Sequence, residues 1–496
     1  LVKFILLLIV FACYAAFSAR PGDVSTIKLP AIYSDGAIFQ RDCPNTIKGT
    51  ATPYAPVIIR IAGKSASTNA SSSGAWQVTL PDIPAGGPYT MSIDACSHKE
   101  IRDIRFGDVW LCCGQSNMGL PLSECNHNQS DLDACHCSEV RFFQIADTRN
   151  SSDSREASGS SSRWLSCSPP TVLHVSGCAF FFAKSLQADR KIPVGVIVCA
   201  ANGSGIRSWL SDNRSMITNS AERGGWVVHQ MLSTAIGLSV KGMIWYQGEA
   251  DIFNVPFYVR EFPHLLSHIR QLWNQPKMPC IIVQLPNYAE RDESPRESLL
   301  AEFREAQRKL ADSNDNTYMI DTYDTALNEH VGLHPRDKSV IGKRLALMAE
   351  AIDTGSVSSF RSPPFVSMSV EGDRSVLYFD CRENNLASVH SVSGFAIAGA
   401  DEHFYWARAL VSHDGCSVRV WSPQVDNPCA VRYAWSDNPD ANLYSSSRMP
   451  VEPFRTDNFE VGGKKFKWYR RYDFINDIPD CGPRKAKAEL IRQGLR

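Results

Sequence analysis

Residues 107–119 read GDVWLCCGQSNMG. Val109 to Cys112 form an unbroken apolar run, the pattern of a central parallel strand covered on both faces. Gly114 then permits a tight turn, and the chain passes to Ser116, set between Gln115 and Asn117. Ligands of open α/β sheets bind at the carboxyl ends of the strands, so a serine delivered there is a candidate nucleophile. Ser and Asn are also ordinary turn residues, and the rest of the chain has to choose between the two readings.

Around this strand the chain alternates strand and helix from 107 to about 355. Strand patterns VGVIVCA, GMIWY, CIIVQL and TYMID are separated by helical patterns CAFFFAKSLQAD, WVVHQMLSTAIG, the segment through LLSHIRQLW, and ESLLAEFREAQRKLAD, and SVIGKRLALMAEAI closes the series. Such alternation predicts an α/β fold with a doubly wound parallel sheet. Residues 24–106 and 358–456 read instead as short strands between turn-rich stretches, which predicts an amino-terminal β-sandwich-like module and a carboxyl-terminal β domain. The remaining 457–496 is a basic tail with GGKKFKWYRR, and the serine-rich 151–162 reads as an exposed loop.

Composition narrows the partners. The 496 residues are 44% hydrophobic and 21% charged, with a formal net charge of -1, so no nucleic acid or anionic membrane surface is expected. The opening LVKFILLLIVFACYAAFSARPGD has the layout of a secretory signal peptide, residues 1–18, with cleavage after Ser18; a short membrane anchor is the competing reading. No later stretch is long and apolar enough to span a bilayer. Removing Cys13 leaves fifteen of the sixteen cysteines, an odd number. Cys125, Cys135 and Cys137 are read as local disulfide staples, since no second CxxC or paired histidine completes a zinc site; Cys112 and Cys199 fall inside strand patterns as buried sulfurs. Sequons begin at Asn69, Asn128, Asn150, Asn202 and Asn213, in keeping with secretion.

A nucleophile at Ser116 needs a base and oxyanion donors, and the other strand ends offer both. VGVIVCA ends in ANGSG, where Gly203 brings a backbone N–H close to a substrate oxygen, and GMIWY ends in QGEAD, where the Gln247 amide is a second donor. TYMID leads to His334, whose imidazole can take the Ser116 proton. Each residue alone also suits a turn, a cap or a loop. Their occurrence at successive strand ends, serine first and histidine last, favours the catalytic reading.

DVWLCCGQSNM, GMIWYQGEAD and GLHPRDKSVIGKRLA, in this order and with LPAIYSDGAIFQRDCP ahead of them, resemble the sialate O-acetylesterase family, a branch of the SGNH serine hydrolases. The resemblance spans about residues 25 to 450. It implies an SGNH-type, flavodoxin-like sheet and a secreted or lysosomal esterase that removes acetyl groups from sialic acid without metal or cofactor. It implies Ser116 as nucleophile and His334 as base, with Ser116, Gly203 and Gln247 at the oxyanion hole. Two departures stand out. Many SGNH enzymes carry an aspartate three residues before the histidine, where this chain has Val331, so the acid orienting His334 is left open among Asp321, Asp324, Glu329, Glu249 and a backbone carbonyl. His330 is a rival base. In ANGSGIRSW the family's Gly-Gly-Thr turn is altered, and Arg207 is a candidate partner for the substrate carboxylate. A sequon at Asn202 would stand at the rim, so it is expected to be unoccupied. Other acetylated glycans such as xylan, or carbohydrate binding by an inactive centre, are the alternatives.

Overall fold

Seven strands cross the middle of the protein side by side, in the order Thr317–Ile320, Cys280–Val283, Gly242–Tyr246, His98–Gly114, Val194–Ala200, Cys137–Gln144 and Trp164–Cys167. All neighbours are parallel except the last pair. This computed structural model describes residues 26–133, 135–146, 162–210, 225–326, 330–387 and 391–459. Residues 1–18, expected as a signal peptide, the sequons at Asn150 and Asn213, Glu329, most of the serine-rich stretch 151–162 and nearly all of the basic stretch 457–496 lie outside the described residues, as does the side chain of His330.

The protein is a mixed α/β molecule with a central, mostly parallel sheet and further β sheets, and its apolar run explains why. Val109, Leu111 and Cys113 enter one buried cluster, with Phe262, Leu265, Phe303 and Leu310 of the helices Val255–Leu272 and Leu299–Ser313. Trp110 and Cys112 enter the other, with Phe180, Phe182 and Ile341 of the helices Gly177–Arg190 and Ser339–Thr354. Alternate side chains serve opposite faces, so a strand buried on both sides must be apolar throughout. Leaving aside the two strands at the Trp164 edge, the other five follow the spatial order second, first, third, fourth, fifth, with the His98–Gly114 strand first along the chain.

One strand belongs to two sheets. The first half of His98–Gly114 pairs antiparallel with Gly86–Asp94, and its second half is the centre of the parallel sheet. Strands Ile38–Gln40, Pro56–Ile61 and Lys64–Asn69 complete the amino-terminal sheet, beside a separate pair, Asn45–Thr50 and Ala75–Leu80. Beyond residue 360, two four-stranded antiparallel sheets enclose a third core of Leu377, Phe395, Val418 and Tyr433.

The stretch 226–237, expected as a helix, is a π-helical turn Val227–Met231 followed by a 3₁₀ turn Leu232–Ala235. Val227, Val228, Met231, Leu232 and Ala235 are all buried, so packing on several sides overrides the helical period. The cysteine staples are also corrected. Cys125 and Cys135 carry free thiols, directed at the carbonyls of Leu120 and Asp131, and Cys137 is free as well. Cys112 and Cys199 are buried thiols. Among the described residues no helix is long and apolar enough to cross a membrane.

At the junction of the two sheets a Cβ on Gly107 would lie 1.9 Å from the Pro193 carbonyl oxygen. Gly107→Ala must therefore push backbone from backbone, and it should destabilise the fold by about 1–3 kcal/mol, the usual cost of overpacking. A thermal unfolding scan checks this, and an unchanged midpoint would refute the close contact.

Candidate active site

The site begins where three strands end in register. Ala200 and Tyr246 both pair with Gly114 from opposite sides, so the loops that start at Gln115, Ala201 and Gln247 leave one edge of the sheet in one layer. Gly114 has φ of +154°, and a Cβ there would lie 2.0 Å from the Tyr246 carbonyl oxygen, so only glycine suits. The chain turns at once into the short helix Ser116–Gly119, whose far end is held by Ser176 Oγ–H donating to the Met118 carbonyl at 2.5 Å.

His334 arrives from the other end of the chain, on the loop after the two-residue strand His330–Val331, which pairs antiparallel with Ala289–Glu290. Its Nε2 lies 2.7 Å from Ser116 Oγ. Both side chains are half-buried, open enough to meet a substrate. With Nδ1 carrying the ring proton, Nε2 accepts from the serine hydroxyl, the arrangement that lets an imidazole withdraw that proton during attack.

Beneath the pair lies a buried polar chain. Lys338 Nζ donates to Asn117 Oδ1 at 2.7 Å, and Asn117 Nδ2 donates to Glu249 Oε1 at 2.5 Å and to the Leu333 carbonyl at 3.1 Å. Asn117 thus ties the residue after the serine to the residue before the histidine. Lys338 and Glu249 are both buried, and the Lys338 ammonium also stands 5.2 Å above the Tyr246 ring. Burial pushes the Lys338 pKa down and the Glu249 pKa up, each away from its charged form. The Asn126 N–H donates to the Arg336 carbonyl at 2.8 Å and pins the histidine loop a second time.

Among the described residues none of the candidate acids reaches His334. Asp324 is held by Arg344 through two bonds of 2.6 Å, and Glu249 by Asn117. Asp321 is buried near Glu452, Arg308 and Arg344, where burial raises its pKa to about 8. No described carboxylate is hydrogen-bonded to His334, whose side chain bonds to Ser116. Val331 is itself buried, an apolar side chain at the position of the family's aspartate. The His334 pKa is lowered, by burial first and by the positive charge of Lys338 second, while Glu124 acts in the opposite sense.

Gly203 adopts φ of +67°, a conformation that favours glycine, and its N–H has no acceptor among the described residues. Gln247 departs from its expected geometry. Its Nε2 donates to Asp251 Oδ2 at 2.5 Å and to the Ser204 carbonyl at 3.2 Å, which engages both amide hydrogens. Asp251 Oδ2 also accepts from the Ile206 N–H at 2.8 Å. Gln247 and Asp251 together hold the 203–207 loop, and presenting the amide to a substrate oxygen requires giving up one of these bonds. The Arg207 guanidinium lies 4.7 Å from the centre of the Phe257 ring, and Asn202 is exposed. Asn117, Glu124 and Lys338 were missed in the sequence. The only trace of the lysine was its place at the end of HPRDK.

Residues 106–350 match the model of a carbohydrate esterase family described as sialic acid-specific acetylesterase. A solved carbohydrate acetylesterase from Xanthomonas citri is 32% identical, with a TM-score of 0.78, and the alignment covers 88% of this chain and 100% of that one. The chain belongs to the sialic acid-specific acetylesterase family of carbohydrate esterases. The sialate O-acetylesterase of Homo sapiens is 23% identical over 481 residues, spanning 85% of this chain and 91% of the human sequence, and that of Mus musculus is 23% identical over 514 residues. As a member of this family the chain is a carbohydrate O-acetylesterase.

The electrostatics give a measurable sign. In protein labelled at the histidine ring, the His334 resonance should titrate below the ordinary value of about 6.5. Removing the nearby positive charge by Lys338→Met should move that midpoint upward. A midpoint indifferent to the substitution would show that Lys338 does not act on the base.

Proposed function

We propose that this acetylesterase acts on O-acetylated sialic acids through Ser116 and His334, within an SGNH-type domain of residues 107–355 between β modules 24–106 and 358–456. We further propose that residues 1–18 direct it to the secretory pathway. The observation that carries the reading is the 2.7 Å contact of Ser116 Oγ with His334 Nε2, at the end of three strands in register. The family's matched relatives bear the name sialate O-acetylesterase, which supports the sugar.

Ser116 Oγ attacks the acetyl carbonyl carbon while His334 Nε2 takes the hydroxyl proton. The carbonyl π bond opens, and the resulting oxyanion is met by the N–H groups of Ser116 and Gly203, with Gln247 holding the second of these in place. The imidazolium returns its proton to the sugar oxygen as the C–O bond breaks, leaving an acetyl-serine. Water, deprotonated by His334, attacks the acetyl carbon, and Ser116 leaves with the proton as acetate departs. A lowered His334 pKa keeps the imidazole neutral, and so basic, further into the acidic range.

Acetate release from 9-O-acetyl sialic acid and from acetylated xylan, by wild type and Ser116→Ala in parallel, tests the reading. The variant should lose at least about 10³-fold in kcat. Release from the sialic acid that the variant abolishes supports the proposal, whereas activity on xylan alone replaces the substrate. Failure of the folded wild type to cleave either ester, or to be labelled by a serine-directed phosphonate, refutes the nucleophile.

A further inference from the structure

A groove of about 610 Å³ lies on the carboxyl-terminal β module, away from the Ser116 loop along the chain, with Trp406, Trp421 and Trp435 among its walls. Trp406 is 41% exposed, and its indole N–H donates to the Glu293 carbonyl at 3.0 Å, which fixes the ring. Part of the Trp406 indole therefore stays in solvent as an apolar surface at the wall of the groove. Arg408 follows two residues later, is exposed, and stands directly opposite Trp421 across the strand pair. Among the described residues Arg408 makes no ion pair and no side-chain hydrogen bond. Trp435 is buried, and its indole N–H has no acceptor among the described residues. The Trp421 ring carries Arg374 and the Trp435 ring carries Arg432 and Arg455, so Trp406 is the open plate. It shares one concavity with the guanidinium of Arg408 and an unmet buried donor, while the two carboxylates of the lining, Asp440 and Asp292, are paired with Arg291 and Arg296.

The opposite wall is tied to the catalytic loop. Arg291 and Asp292 line the groove and directly follow Ala289–Glu290, the strand paired with His330–Val331 just before His334. Asn438, also in the lining, donates to the Ala289 carbonyl at 2.9 Å and accepts from Asn287 at 2.9 Å. The groove and the histidine loop are two faces of one hydrogen-bonded strip.

We infer that this groove is a second carbohydrate site, taking an acidic sugar of the same glycan chain that presents the acetyl ester to Ser116. Pyranose C–H faces are apolar and pack on an aromatic ring, for which Trp406 is the exposed candidate. The sugar's carboxylate matches the fork of Arg408, and its hydroxyls match the polar atoms of Ser393, Ser436 and Asp440. The inference rests on the acidic-sugar substrate proposed above, and its test separates the two.

Two measurements on the full chain decide it. In the first, kcat/KM is compared for 9-O-acetyl sialic acid and for an O-acetylated α2,8-linked sialic acid trimer. Trp406→Ala and Arg408→Ala should each lower the value for the trimer about tenfold, the equivalent of roughly 1.4 kcal/mol, and leave the monosaccharide unchanged. Equal effects on both substrates, or none on either, overturn the inference. In the second, the non-acetylated trimer is titrated into Ser116→Ala, alone and combined with each groove substitution, by calorimetry. Binding weakened by both substitutions supports the site even if the enzyme proves to cleave no sialic acid ester. Absence of binding overturns it, and binding that Trp406→Ala weakens but Arg408→Ala leaves intact overturns the acidic sugar.

Discussion

The site depends on how closely three parallel strands approach at Gly114. With Ala200 on one side and Tyr246 on the other, this position has no room for a Cβ, and its φ of +154° turns the chain sharply out of the sheet. Because the register is shared, Ser116, the Gly203 turn and Gln247 emerge from one row without any long-range search by their loops. A one-residue slip of either neighbouring strand would exchange the apolar faces of that strand and bury its loop at the wrong height. The two apolar clusters packed on the sheet oppose that slip, so the core that stabilises the fold also sets where Ser116, Gly203 and Gln247 stand.

The second constraint is electrostatic. An imidazole base is usually oriented by a carboxylate that also stabilises its cation, and no described carboxylate bonds to His334. Here the loop itself is fixed, through Asn117 to the Leu333 carbonyl and through Asn126 to Arg336. Lys338 and Glu249 bracket Asn117 from opposite ends, so the amide's donor and acceptor are each assigned to one partner and the side chain cannot rotate without stranding a buried charge. The consequence for the base has a definite sign. Partial burial and a nearby ammonium both disfavour imidazolium, so in the proposed role of base His334 would be weaker but more persistently neutral than an imidazole paired with aspartate.

How much of this was legible follows from what kind of signal each residue leaves. The parallel sheet was readable because doubly buried strands must be apolar, and Ser116, Gly203 and Gln247 stood out as polar or glycine residues where such runs stop. His334 was readable from its place after the last strand. Asn117 and Lys338 left no comparable mark, since a lysine next to a helix reads as a solvated charge until the fold closes over it. The amide direction of Gln247 was equally hidden, because Asp251, four residues on, reaches it only through a 3₁₀ turn beginning at Glu249. The cysteine spacing misled for a related reason: proximity in sequence does not decide which thiols face each other, and the Cys135 thiol lies beside that of Cys167.

The carboxyl-terminal module is part of this same arrangement. Arg304, buried on the helix Leu299–Ser313, donates to the carbonyls of Leu285 and Pro286 just past the sheet edge and to those of Ser436 and Asp437 in the module. Ser298 Oγ–H adds a bond to Asp437, and Asn438 carries the connection on to Ala289. Ala289 pairs with Val331, so a continuous chain of hydrogen bonds, side-chain and backbone, runs from the module to the loop that holds His334. Separating the module would leave a buried guanidinium short of acceptors, a loss on the order of several kcal/mol, and would release the strip beside His334 at the same time. The β module therefore braces the strand that precedes His334, and the groove cut into it lies against the same strip.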